Sequence, residues 1–183
     1  KNVKDIMLPS EEHAIEMFPM DFEEFLWAMG DEMLMPYIRM RFDKRLPMEA
    51  FHRRAMDYFR QYLIVGGMPQ AVLKYVETRD FEKVDEVKRD ILALYRNDIH
   101  KYADNQETKV AAIFEELPGQ LQKHEKKFVL SALQSEARMR DYSQAFFWLS
   151  DAKIINCCYN STAPSIGLKL NEERTTLKCY MGD

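Results

Sequence analysis

The chain is poor in the residues that break regular structure, bind metals or cradle phosphate. Of 183 residues only six are glycine and seven proline. That is too little turn chemistry for a strand-rich domain, so a mainly α protein is expected. No glycine is followed by lysine, which excludes a G-x-x-x-x-G-K-[ST] phosphate loop, and no apolar run ends in paired acids suited to Mg²⁺. The four histidines, His13, His52, His100 and His124, are scattered without ligand spacing. The three cysteines, Cys157, Cys158 and Cys179, form no CxxC pair, and adjacent cysteines on a strand point to opposite faces. No metal site is expected. An odd thiol count reads as reduced cysteines in a cytoplasm rather than as a disulfide framework. No run approaches the roughly 18 apolar residues of a membrane span, and the first residues lack the apolar core of a signal peptide. The expectation is a cytoplasmic protein with no membrane partner. A net charge of −4 gives no bulk attraction to nucleic acid.

What is present is enough to fold: 46% hydrophobic residues and 12% aromatics supply a packed core. Ile6-Met7-Leu8-Pro9 reads as a strand end or linker. Asp21 and Glu24 are spaced as a capping box ahead of the apolar face Phe22, Phe25, Leu26 and Met29, with Gly30 placed to stop that helix. From Met33 to Arg45 the pattern is irregular, and Arg39, Arg41, Lys44 and Arg45 make it the most basic short stretch, read as a solvated face. A helix from about Met48 to Val65 runs into Gly66-Gly67-Met68-Pro69. There both glycines are expected at positive φ and Pro69 in the first turn of the next helix, where its missing N–H costs nothing. A short helix through Ala71, Val72 and Tyr75 follows. Then a six-turn helix, capped by Asp80, carries Val84, Val87, Ile91, Leu94 and Ile99 on one side. The polar turn Asp104-Asn105-Gln106 places a domain boundary at 104/105.

Residues 105–183 read as three helices and a two-stranded hairpin, the order of a winged helix. The helices are a face through Val110, Ile113, Phe114 and Leu117 ending at Pro118-Gly119, a short apolar helix over Phe128–Leu133, and a third through Tyr142, Ala145, Phe146 and Leu149. The strands are Ile154–Tyr159 and Leu177–Met181. Charge tests the DNA-binding alternative that this order invites. Residues 107–183 hold ten Lys plus Arg and ten Asp plus Glu, whereas DNA readers are biased basic. Lys123, Lys126 and Lys127, with Arg140, are the candidate backbone contacts, so DNA is a possible but not a favoured partner. No residue pattern supports a catalytic assignment.

Several motifs occur together in order: Pro19-Met20-Asp21-Phe22-Glu23-Glu24-Phe25-Leu26-Trp27-Ala28, Tyr62-Leu63-Ile64-Val65-Gly66-Gly67-Met68-Pro69-Gln70-Ala71-Val72, Arg89-Asp90-Ile91-Leu92 and Lys101-Tyr102-Ala103-Asp104. They continue through Leu117-Pro118-Gly119-Gln120-Leu121, Lys126-Lys127-Phe128 and Tyr142–Ala152 to Leu177–Asp183. Across nearly its whole length the chain thus resembles a large family of prokaryotic AAA+ superfamily ATPases, in which a P-loop core is followed by a domain of unknown function. The resemblance implies that residues 1–104 are a helical lid-like subdomain of an ATPase module. It makes residues 105–183 a winged-helix-like domain, truncated at its C-terminus. It also implies that the P-loop core of the same protein is missing, so that this fragment holds no cofactor while the intact parent uses ATP and Mg²⁺. Gly66, Gly67 and Pro69 would then form a lid corner facing nucleotide. The function expected is a non-catalytic C-terminal fragment that couples nucleotide state to a protein client. A winged-helix DNA-binding module and a helical protein-interaction adaptor are the alternatives.

Overall fold

The computed structural model describes residues 15–103, 105–163 and 165–183, apart from the side chains of Arg174 and Thr175. The expected linker at Ile6–Pro9 and His13 lie outside the described residues. The chain divides into two compact units, residues 1–92 with Asp183, and residues 93–182. The fold is mainly α, with a small antiparallel sheet near the end of the chain.

In the first unit, α1 (Phe22–Ala28) begins with the capping box expected of its sequence. The Glu24 N–H donates to Asp21 Oδ1 and the Asp21 N–H to Glu24 Oε2, both at 2.9 Å. Gly30, at φ +83°, turns the chain out of the helix. The stretch read as irregular instead forms α2 (Leu34–Asp43). Its periodicity is weak because Leu34 alone is fully buried, with Met35 and Ile38 packed beside it against Leu26 and Ala55. Pro36 is tolerated in the first turn. The buried carboxylate of Asp31 starts the helix by accepting the Leu34 N–H at 3.1 Å.

Helix α3 (Phe51–Val65) and helix α4 (Pro69–Thr78) meet at the glycine corner, with Pro69 opening α4 as expected. Only Gly66 takes positive φ, at +82°. Gly67 is glycine for a different reason. A Cβ there would lie 2.3 Å from the carbonyl oxygen of Met20, because the Met20 N–H donates to the Gly67 carbonyl at 2.7 Å and draws the two backbones together. Tyr62 closes the same contact by donating its hydroxyl to the Met20 carbonyl at 2.9 Å. Phe25, Val65, Ala71, Val72, Tyr75 and Val84 form the core around this junction. Helix α5 (Phe81–Tyr102) starts where Asp80 Oδ1 accepts the Glu82 N–H.

The units divide between Leu92 and Ala93, inside α5 and earlier than the polar turn at 104–106. The last turns of α5 belong to the second unit because they pack on α6 (Glu107–Gln122). There the Tyr95 ring stands edge-on to Phe114 at 6.4 Å and Arg96 pairs with Glu115. Helix α6 does not stop at Pro118-Gly119 but runs through to Gln122. Pro118 removes one backbone donor, yet the buried face of Val110, Ile113, Phe114, Leu117 and Gln120 continues past it and holds the helix together. The short helix expected over Phe128–Leu133 is reduced to one 3₁₀ turn, Leu130–Ala132. Its leading residues are taken by the sheet, since Lys127 bridges to Lys178 and the Phe128 N–H donates to the Leu177 carbonyl at 2.9 Å. Helix α7 (Met139–Asp151) then leads into the hairpin of β1 (Ile155–Ser161) and β2 (Glu172–Met181). Its strands pair antiparallel, Ile155 opposite Met181 and Cys157 opposite Cys179, with an irregularity between Tyr159 and Asn160. Phe128, Phe146, Leu149, Ile155 and Leu177 fill the space beneath the sheet.

Glycines at the end of α1 and at the α3–α4 corner predict unequal costs. Gly30→Ala introduces only a left-handed alanine into open space, about 1 kcal/mol, whereas Gly67→Ala drives a methyl into backbone, about 3 kcal/mol. Urea denaturation of both variants measures the difference, and equal losses would show that the Met20 contact is not tight.

Candidate functional site

The glycine corner holds an anionic group that the protein itself supplies. Asp183, which clusters with the first unit, directs its carboxylate at the start of α4. Oδ1 accepts the Gly67 N–H at 2.7 Å and Oδ2 the Met68 N–H at 3.1 Å. These are donors that no intrahelical carbonyl can satisfy, and the helix dipole favours negative charge there. Gly66 leaves the carboxylate its room, because a Cβ there would lie 2.7 Å from Oδ2. Pro69 contributes shape but no donor. The neighbouring phenol feels the charge: burial first, then the carboxylates of Asp183, Asp21 and Glu24, push the Tyr62 pKa above its ordinary value. The corner therefore brings Gly66, Gly67 and Pro69 together as one turn that presents two N–H donors to a pair of acceptor oxygens.

A second feature of the same unit is an open cleft of about 570 Å³ lined by Arg53, Arg54, Tyr58, Gln61, Tyr75 and Arg79 among others. The Arg54 guanidinium lies over the Tyr58 ring, 5.9 Å from its centroid, and pairs with Asp31 at 2.7 Å. Arg79, the left-handed C-cap of α4, lies over Tyr75 at 5.6 Å and also reaches Met29 Sδ. Both guanidinium groups lie within cation–π range of a tyrosine ring and can offer further donors to a carboxylate or phosphate. Sequence reasoning missed this group. Arg53 and Arg54 lie on α3, and Arg79 comes to the same cleft only through the α3–α4 turn. The basic run that the sequence emphasised is already engaged, with Arg39 on Glu23 and Arg41 on both Glu49 and the Pro47 carbonyl.

The candidate nucleic-acid contacts of the second unit have different surroundings. Lys123 is exposed at the C-cap of α6, and Lys126 turns inward to donate to the Leu121 carbonyl. Lys127 is tied by its backbone to the sheet, and Arg140 lies beside Asp141 at 3.5 Å. The exposed positions of α7 are Arg140, Asp141, Ser143, Gln144, Phe147 and Asp151, so its one cation is outnumbered by acids. Among the described residues no three His, Cys, Asp or Glu side chains are grouped to hold a metal ion, and no helix is long and apolar enough to cross a membrane.

A family model described as a domain of unknown function (DUF8612) matches residues 56–183, which takes in α4 to β2 and most of α3. The chain belongs to that family. No curated protein and no solved structure matches it. The DUF8612 match covers the α3–α4 corner and Asp183, so both sides of the carboxylate clamp lie within the family domain.

Replacing Asp183 by Asn keeps the shape but removes the charge and one acceptor. The expected loss is about 1 kcal/mol in denaturant unfolding. The Tyr62 phenol should then titrate closer to its ordinary value, followed by the NMR shift of labelled tyrosine. A Tyr62 midpoint unchanged by the substitution would place Asp183 away from the corner.

Proposed function

We propose that this DUF8612 chain is the lid and winged-helix-like part of an AAA+ type ATP-binding protein of the cytoplasm, coupling nucleotide state to a protein client without hydrolysing ATP itself. The observation that carries the reading is the α3–α4 corner, where two successive backbone N–H groups at a helix start grip an anionic group across a turn that only glycine permits. A turn of this kind responds to which anion it holds, and helices α3 and α4 on either side carry the response into the core at Val65, Val72 and Tyr75. The motif order from Pro19 to Asp183 supplies the ATPase context.

ATP and Mg²⁺ belong to the P-loop core of the same protein in this reading. The described residues of this chain present no cluster of acids that fits Mg²⁺, and the one pair of helix-start donors is matched to Asp183. The chain's own part is to hold the corner against the core and pass its position on. The even charge of residues 107–183 and the inward turn of Lys126 favour a protein over DNA as the client.

The purified chain should show no Mg²⁺-dependent ATP turnover above background. With the P-loop core of the same protein added, amide exchange at Gly67 and Met68 should differ between ATP and ADP. Turnover by the chain alone, or exchange indifferent to nucleotide, would overturn the proposal. Salt-sensitive duplex binding by the chain alone would replace it with the DNA-binding reading.

A further inference from the structure

The second unit carries a pair of thiols that the nucleotide-coupling reading does not use. Cys157 on β1 and Cys179 on β2 are directly opposed in the hairpin register, and their side chains are in hydrogen-bond contact. Directly opposed residues of an antiparallel pair have Cβ atoms about 4.5–5.5 Å apart, and a disulfide needs about 3.5–4.5 Å. Closing the bond therefore draws the strands together by about an ångström at this pair; the regular pairing ends just beyond it, at the irregularity between Tyr159 and Asn160. Access is one-sided. Cys179 is 1% exposed, while Cys157 is half-buried and lines an open groove of about 700 Å³ with Met139, Phe147, Tyr159, Lys169 and Glu172.

We propose that Cys157 and Cys179 form a dithiol site that reacts with low-molecular-weight disulfides and closes a cross-strand disulfide within the hairpin. Cys157 enters first because only it meets the groove. Its thiolate attacks one sulfur of the small disulfide, the S–S bond breaks, and one small thiol leaves with the electron pair and takes up a proton. The Cys179 thiol then gives up its proton and attacks Cys157 Sγ, expelling the second small thiol. The protein loses two electrons and two protons, and the small disulfide becomes two thiols. The Cys157 environment suits the first attack: the Cys179 S–H donates to the Cys157 sulfur and lowers the Cys157 pKa, aided by a hydrogen bond from Tyr159. Cys179 is pushed up by the same contact and by burial, which makes it the slower, second thiol to react. Cys158 lies opposite Lys178 and is exposed on the other face, so it has no thiol across from it.

Oxidised glutathione is the probe, with intact mass and peptide mapping as readout. The native chain should lose two hydrogens and yield a peptide joined through Cys157 and Cys179, and Cys158→Ala should behave alike. Cys179→Ala should stop at a glutathione adduct on Cys157, and Cys157→Ala should form neither product. Far-UV circular dichroism checks that each variant is folded, and the mapping of the native chain stands without them. A linkage through Cys158, or a native chain that keeps both Cys157 and Cys179 reduced while Cys158 takes up glutathione, would overturn the proposal.

Discussion

The contact between Gly67 and Met20 ties the entry of α1 to the junction of α3 and α4, and the first unit is arranged around it. The Met20 N–H and carbonyl are both committed there, one to the Gly67 carbonyl and the other to the Tyr62 hydroxyl. This leaves no space for a side chain at residue 67. Phe25 and Tyr62, whose ring centroids lie 5.5 Å apart, pack at the same junction, and Gly67 is buried there. A buried backbone hydrogen bond of this kind is costly to leave unmade, so the corner acts as a rigid joint rather than a loose connection. That rigidity aligns the Gly67 and Met68 N–H groups on one carboxylate.

The arginine cleft depends on the same joint. Arg79 closes α4, and the α3–α4 turn returns it to the side of α3 that carries Arg53 and Arg54. Two anion-seeking features thus occur in one small helical unit: a pair of backbone donors satisfied by Asp183, and a set of stacked guanidinium groups on Tyr58 and Tyr75. Arg54 keeps its orientation because Asp31, buried at the start of α2, must be paired once it is out of water. In the second unit the corresponding polar anchor is Gln120. Fully buried, its Oε1 accepts the Val129 N–H and its Nε2 donates to Glu116, fixing the segment that leads from α6 into the sheet.

Much of the helical frame was legible in the chain. The capping box at Asp21 and Glu24, the stop at Gly66, Pro69 at a helix start and the long face from Val84 to Ile99 all follow from local rules of spacing and backbone geometry. The misses have identifiable causes. Helix α2 hides because a single fully buried residue, Leu34, leaves no apolar stripe to detect. Helix α6 continues through Pro118 because tertiary burial on both sides outweighs one lost hydrogen bond. The segment after Lys127 has apolar residues at helical spacing, yet Lys127 and Phe128 are spent on Leu177 and Lys178, partners far away in sequence.

By itself the sequence determined a mainly α chain ending in a hairpin, the place of the glycine corner, and the even charge of residues 107–183, since these depend on composition and on contacts within a few residues. Tertiary structure alone decided what the corner holds and which side chains share a site. Asp183 meets Gly67, Arg79 meets the face of Arg53 and Arg54, and Cys157 meets Cys179 only after the chain has folded. Register and packing set those meetings, and no local spacing encodes them.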